Sequence, residues 1–262
     1  MENIKEVILL GGMTATGKST CCLQIAEAYP KSRVYYIDTD GSAERLLKLE
    51  FPNVKNVTYM KALDWKSCSD AIKGANTANL ARGDWLMIDL IDNLWTYDQQ
   101  DFIRQIHGQD QSDYIMQRRL EMKEKGKKGM LTHTPQDWSI MTLRYMELMY
   151  IAWYQVHAHL IATTSISEPP GAAFPESMKA KQFYGSLETD YGFRYDGHKE
   201  NLFRFETHLL LAQDRKGFYL TTVKERGAKV RRRLTMVPLH NFVLQYLYPV
   251  AGFPLPSEVG GK

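Results

Sequence analysis

Short apolar runs alternating with stretches of helical periodicity set the plan of the chain as far as residue 89. Val7 to Leu10 is apolar throughout, the pattern of a parallel strand covered on both faces. Cys21 to Ala28 continues as a helix that stops before Pro30. Arg33 to Asp38 reads as a second buried strand, ending in the polar turn Thr39-Asp40-Gly41-Ser42. A helix from Ala43 to about Leu49 follows, halted near Pro52, and Val54 to Tyr59 forms a third, weaker strand. Asp64 to Leu80 has helical periodicity with Gly74 in its middle. Trp85 to Asp89 is an apolar strand that ends in an acid. Strands alternating with helices imply βαβ units and a parallel sheet.

From Tyr97 to Gln136 the pattern turns polar, rich in Gln, Asp, Lys and Arg. Asp113 to Lys125 reads as helix and Lys123 to Gly129 as an exposed loop. A further helix runs from Pro135 to about His157 with Thr134 as its N-cap, and its apolar face is Trp138, Met141, Tyr145, Leu148, Met149 and Ala152. Leu160 to Ser165 is another buried strand. Glu168 to Gly185, with Pro169, Pro170 and Pro175 and no periodicity, reads as a long mobile loop of the kind that more often serves function than mere connection. Leu202 to Ala212 and Phe218 to Lys224 form a hairpin about residues 213–217, Val230 to Val237 adds a strand, and the Pro/Gly-rich tail frays. The expected architecture is one α/β domain over 1–250, a mostly parallel central sheet flanked by helices, with antiparallel strands in the C-terminal third. Within it lie a polar helical insertion at 97–135 and the loop at 168–185, and a flexible tail at 251–262 follows. The chain shows no internal repeat and no low-complexity tract.

Composition narrows the class. With 262 residues, 44% apolar and 24% charged, the chain is ordinary globular material able to bury a sizeable core. No apolar run reaches the ~18 residues that span a bilayer. Met1 to Glu6 enters the first strand directly, leaving no room for a signal peptide. Three cysteines, two of them adjacent at Cys21 and Cys22, make no disulfide framework. Together these features predict a cytoplasmic protein with no membrane partner. A net charge of +3 does not demand a nucleic-acid partner.

The chemistry concentrates between Val7 and Thr20, V-I-L-L-G-G-M-T-A-T-G-K-S-T, which fits G-x-x-x-x-G-K-[ST] at Gly12, Gly17, Lys18 and Ser19. Glycines let the backbone curl so that successive N–H groups point at phosphate oxygens, and the following helix adds its positive end. Gly12, Met13, Thr14, Ala15, Thr16, Gly17, Lys18, Ser19 and Thr20 are therefore the nucleotide-binding candidates. Lys18 would reach the β- and γ-phosphates, and the Ser19 hydroxyl would take one Mg²⁺ position. The bland alternative, a Gly-rich turn with a surface lysine, lacks a reason for the strand before it and the helix after it. Asp89 is the candidate metal acid, delivered by its strand to the carboxyl end of the sheet where open α/β sheets place ligands. The rival reading makes Asp89 an N-cap, with Asp92 as the fallback metal acid.

Asp38 and Asp40 admit two readings that spacing does not separate. Both could face the γ-phosphate side, one holding structure and the other activating water, or the turn is merely polar and Asp40 or Ser42 caps the next helix. Lys123 to Lys128 and Arg231 to Arg233 are basic enough to contact phosphate backbone, and Phe174, Phe183 and Tyr184 lie near Lys179 and Lys181. Solvated faces and ordinary loop packing explain the same residues. His157 and His159 lie two apart with His133 distant, and no Cys or carboxylate spacing completes a zinc pattern.

The P-loop followed by I-D-T-D-G-S after the second strand and then by W-L-M-I-D resembles a RecA-type ATPase core. With Asp137-Trp138 before a long helix and V-K-E-R-G at 223–227, the chain is most similar to the short phage-type RecA-like ATPases of single-strand annealing and recombination. The resemblance covers roughly residues 4 to 230. It implies that Asp40 is the general base, with aspartate where glutamate is commoner, and that Thr164 or Ser165 stands where the family senses the γ-phosphate. It implies that Lys224 or Arg226 reaches the γ-phosphate of a neighbouring subunit, and that the loop after the fifth core strand meets DNA. ATP and Mg²⁺ as cofactors, single-stranded DNA as partner and a homo-oligomer follow from it in the same way. The absence of a guanine-reading N-K-x-D favours ATP. Rival readings are a P-loop kinase for a small molecule, closing Arg104, Arg118 and Arg119 over phosphates as a lid, and a non-catalytic nucleotide-gated binding module.

Overall fold

The computed structural model describes residues 4–126, 133–167, 194–225 and 237–256. In its first half β1 (Val7–Gly12), β2 (Val34–Asp38), β3 (Val57–Lys61) and β4 (Trp85–Asp89) alternate with α1 (Lys18–Ala28), α2 (Ala43–Leu49) and α3 (Trp65–Thr77). Helices α4 (Ile91–His107), α5 (Gln111–Glu124) and α6 (Pro135–Tyr150) follow, and a π-helical turn, Ile151–Gln155, leads into β5 (His159–Thr164). The short strands β6 (Ile166–Ser167) and β7 (Arg194–Tyr195) pair with each other. Strands β8 (Thr207–Asp214), β9 (Gly217–Glu225) and β10 (Val237–Pro238) complete the main sheet, whose order is β10-β9-β8-β1-β5-β4-β2-β3. From β8 to β3 every pairing is parallel, while β9 pairs antiparallel with both β8 and β10. The parallel sheet with an antiparallel addition is thus present as the sequence pattern predicts.

The continuous apolar runs have a simple cause: both faces of the sheet are covered. Side chains alternate along β1, so Val7 and Leu9 join the core under α3, α4 and α6, while Ile8 and Leu10 join the core under α1. The same parity places Tyr36, Met87 and Ile161 on the α1 side. This alternation decides which residues of each strand can reach the nucleotide loop. The α1 side is finished by Phe242, Val243 and Tyr246 from a second π-helical turn, Val243–Leu247, near the chain end.

Several boundaries moved for identifiable reasons. Val54 donates its N–H to Phe51 O at 3.1 Å in a turn, so β3 starts later than expected, at Val57. Asn56 fixes that turn by donating to the carbonyls of Ala26, Tyr29 and Ser32. Gly74 is tolerated inside α3 because a Cβ there would lie 2.7 Å from the Tyr35 hydroxyl: the helix needs the gap to settle on the sheet. Residue 97, where the polar segment was expected to begin, lies inside α4, which already buries Leu94, Asp98, Phe102 and Ile103. Thr134 caps α6 in a reciprocal box with Asp137, and Trp138 stacks on Trp95 of α4. The start of the strand expected from Leu202 is instead a helical turn, Asn201–Arg204. Of the strand expected over 230–237 only Val237 is described, paired with Leu220. Phe253, from the segment expected to fray, packs on Trp85 and His159. The loop at 168–185 and the basic residues Lys127, Lys128 and Arg231 to Arg233 lie outside the described residues. Among the described residues no helix is long and apolar enough to cross a membrane.

Candidate nucleotide-binding site

At the carboxyl end of β1 the chain turns through Met13 to Gly17 and enters α1 at Lys18. Two residues make this turn possible. Ala15 has φ 66° and Gly17, the N-cap, has φ 87°, both left-handed. Such reversals point successive N–H groups into one concavity, the geometry that holds phosphate oxygens. Gly12 is required for space: a Cβ there would lie 2.4 Å from Thr16 Oγ1 and 2.9 Å from the carbonyl oxygen of Leu211. Thr16 Oγ1 donates to Met13 O at 2.8 Å and closes the loop on itself.

The loop opens on a cleft of about 600 Å³ bordered by Thr14 to Thr20, by Asp40 and Ser42 after β2, by Asp89 and Leu90 after β4, and by Ser165 after β5. Gly12 and Met13 lie behind it and offer their carbonyls to Lys18 Nζ, each at 2.8 Å. Burial pushes the Lys18 ammonium below its ordinary pKa, and Asp89, Asp92 and Asp40 pull it back, in that order. A cation resting on its own loop's carbonyls, with its charge supported by Asp89, Asp92 and Asp40, fits a polyphosphate with its metal.

Asp89 is almost wholly buried, yet it borders the cleft. Its Oδ2 accepts from Tyr36 Oη at 2.5 Å, and its Oδ1 accepts from Thr163 Oγ1. An ionised carboxylate has about four acceptor positions, so two remain after these bonds. With the Ser19 hydroxyl on the same cleft, the donor set suits a hard divalent cation such as Mg²⁺. Asp92 sits at the start of α4, where burial pushes its carboxyl above the usual range and Ser165 N donates to its Oδ1 at 3.4 Å.

The Asp38-Asp40 pair divides its labour. Asp38 is buried and accepts from the N–H groups of Asp40, Gly41 and Ala43 and from Tyr59 Oη at 2.6 Å. It therefore shapes the turn and meets the first N–H of α2. Asp40 is exposed, accepts from Ser42 N at 2.9 Å and faces the cleft. At the end of β5, Thr164 Oγ1 turns away to donate to Asp196 O, and Ser165 borders the cleft.

Lys224 lies elsewhere. It pairs with His208 near the amino-terminal end of the parallel strands, and its Nζ donates to the carbonyls of Leu202 and Phe205 at 2.6 and 2.9 Å. Arg226 falls outside the described residues. Arg104 and Arg118 bond Asp110 and Glu121, and neither they nor Arg119 border the cleft. Sequence reasoning missed Tyr36, Tyr59 and Thr163. Their parity was readable, but the partner of each hydroxyl depends on strand order and register. It also missed Arg45 and Phe218 at the outer wall of the cleft.

A mostly parallel sheet with the phosphate loop after β1 and an acid at the end of β4 defines a P-loop nucleotide-binding protein. The chain belongs to the AAA domain family, whose model matches residues 4–135. No curated protein matches the chain. Among solved structures, the "Crystal structure of the RadB recombinase" is similar at 11% identity with a TM-score of 0.47, over 88% of this chain and 84% of that one.

Proposed function

We propose that the protein is a Mg²⁺-dependent ATPase acting on single-stranded DNA, in recombination or replication of the phage type. The observation that carries the hydrolytic reading is the convergence of Lys18, Ser19, Asp89 and Asp40 on one cleft. The loop N–H groups and the Lys18 ammonium bind the phosphates once Lys18 exchanges its two loop carbonyls for phosphate oxygens. Ser19 and Asp89 would hold the metal, which would supply positive charge to offset that of the phosphates. Asp40 is exposed to solvent at the cleft and accepts a proton from the attacking water, while Asp38 keeps the turn in place. Lys224, at the opposite end of the sheet, serves the cleft of a second copy, alone or with Arg226, where a cation supplied in trans is worth about 10³-fold or more in rate. The DNA part of the proposal rests on the resemblance carried by I-D-T-D, D-W and V-K-E-R-G.

Phosphate release with and without single-stranded DNA tests the reading. Stimulation by DNA is expected. Lys18→Ala should abolish ATP binding and turnover, and Asp40→Ala should keep binding while turnover falls about 10²-fold or more. Normal hydrolysis by the Asp40 variant removes its assignment as base. Phosphoryl transfer to a small acceptor without any DNA effect replaces the whole reading with that of a kinase.

A further inference from the structure

Two tyrosines on neighbouring strands each spend a hydroxyl on an acid of the site. Tyr36 Oη donates to Asp89 Oδ2 at 2.5 Å, and Tyr59 Oη donates to Asp38 Oδ2 at 2.6 Å. Their rings stack, with centroids 6.3 Å apart and planes 28° from parallel. Neither hydroxyl is needed for packing, since phenylalanine would fill the same ring volume, and the fully buried Tyr36 hydroxyl would be costly to leave unpaired. On the far side of Asp89, Thr163 of β5 holds the other carboxylate oxygen. The carboxylate is thus clamped between β2 and β5 and presents one fixed set of lone pairs to the cleft.

We propose that Tyr36 and Tyr59 form a positioning unit for the nucleotide site, Tyr36 orienting the metal-facing Asp89 and Tyr59 orienting Asp38, which sets the turn that carries Asp40. The proposal rests on the Mg²⁺–ATP reading above. It divides the two hydroxyls by consequence. Loss of the Tyr36 hydroxyl leaves a buried Asp89 oxygen without its donor and weakens the metal site. Loss of the Tyr59 hydroxyl loosens the turn of Asp40 and spares the metal site.

The test uses the full chain and a fluorescent ATP analogue, titrated with Mg²⁺, beside steady-state phosphate release. Tyr36→Phe should raise the Mg²⁺ half-saturation about 10–100-fold, the usual effect of losing a partner that orients a ligand, with metal-free analogue affinity unchanged. Thr163→Val should act in the same direction and Thr163→Ser should restore the wild-type value, which keeps the test decisive if the Tyr36 variant does not fold. Tyr59→Phe should lower kcat at saturating Mg²⁺ and leave the half-saturation where it was. A wild-type Mg²⁺ half-saturation in both Tyr36→Phe and Thr163→Val overturns the proposal. So does an equal loss of metal-free and metal-dependent binding, which marks a merely structural role. If the wild-type chain binds the analogue with no Mg²⁺ effect, the ATPase reading falls, and this inference falls with it.

Discussion

Single backbone positions govern the nucleotide loop. Gly12 has no room for even one carbon, because the obstacle on one side is the Leu211 carbonyl of β8, which the sheet holds in place. Gly12→Ala should therefore cost about 2 kcal/mol or more in urea unfolding and weaken nucleotide binding as the loop is pushed out of shape. Gly17 is a different case. A Cβ there meets nothing within 4 Å, and only its φ of 87° resists a side chain. Gly17→Ala should be milder in stability, costing about 1–2 kcal/mol, the strain of a left-handed alanine. A larger loss for Gly17→Ala than for Gly12→Ala would contradict this account. The role of these glycines was legible from spacing alone. The division between Asp38 and Asp40 was not, because it depends on which N–H groups the turn presents to each carboxylate.

At the scale of elements, α4 and α6 are joined by a buried ion pair. Arg144 of α6 approaches Asp98 at 3.2 Å, bonds Asp101, and lies over the Trp65 ring. Asp98 is fully buried, and burial pushes its carboxyl up to about 7 despite Arg144. The folded state then holds this proton more tightly than the unfolded chain. Its contribution favours folding below the unfolded value near 4 and is lost as pH rises through 7. Asp98→Asn should thus gain stability relative to the native chain between pH 5.5 and pH 8, by roughly 2 kcal/mol, in paired denaturation curves. A gain that shrinks toward pH 8 would reverse the sign and refute it. The helices themselves were readable from periodicity and from the Thr134 cap. Their mutual clamp was invisible, since Asp98 and Arg144 are ordinary charged residues until two helices bury them together.

Across the whole molecule, two histidines tie segments distant along the chain to one another. His159 of β5 accepts from Glu6 N at 3.0 Å and lies between Trp85 and Phe253, joining the start of the chain to its last described residues. His198 stacks on Tyr145 and meets the edge of Trp95 beside the turn that contacts Asp92. Burial lowers both to about 4, so they fold as neutral rings. The unfolded chain binds more protons than the folded one between that value and its own, near 6.5. Their stabilisation is complete above about 6.5 and is lost as pH falls toward 4, by roughly 2 kcal/mol per histidine at pH 5. A His159→Gln, His198→Gln chain should lose less stability than the native chain between pH 7.5 and pH 5. Equal losses would show that neither ring controls the acid limb.

Local pattern by itself determined the strand-helix alternation, the phosphate loop and the acid that ends β4, because each is written in residues adjacent along the chain. Tertiary structure alone decided the company the loop keeps. Placing β5 between β1 and β4 brings Thr163 to one side of Asp89, and placing β2 beyond β4 brings Tyr36 to the other. The same topology carries Lys224 away to the far end of the sheet, out of reach of its own cleft. The physical reason is range. Propensity, capping and glycine geometry act over a few residues, whereas the partners of a buried carboxylate are fixed by strand order and register across separations of 53 and 74 residues.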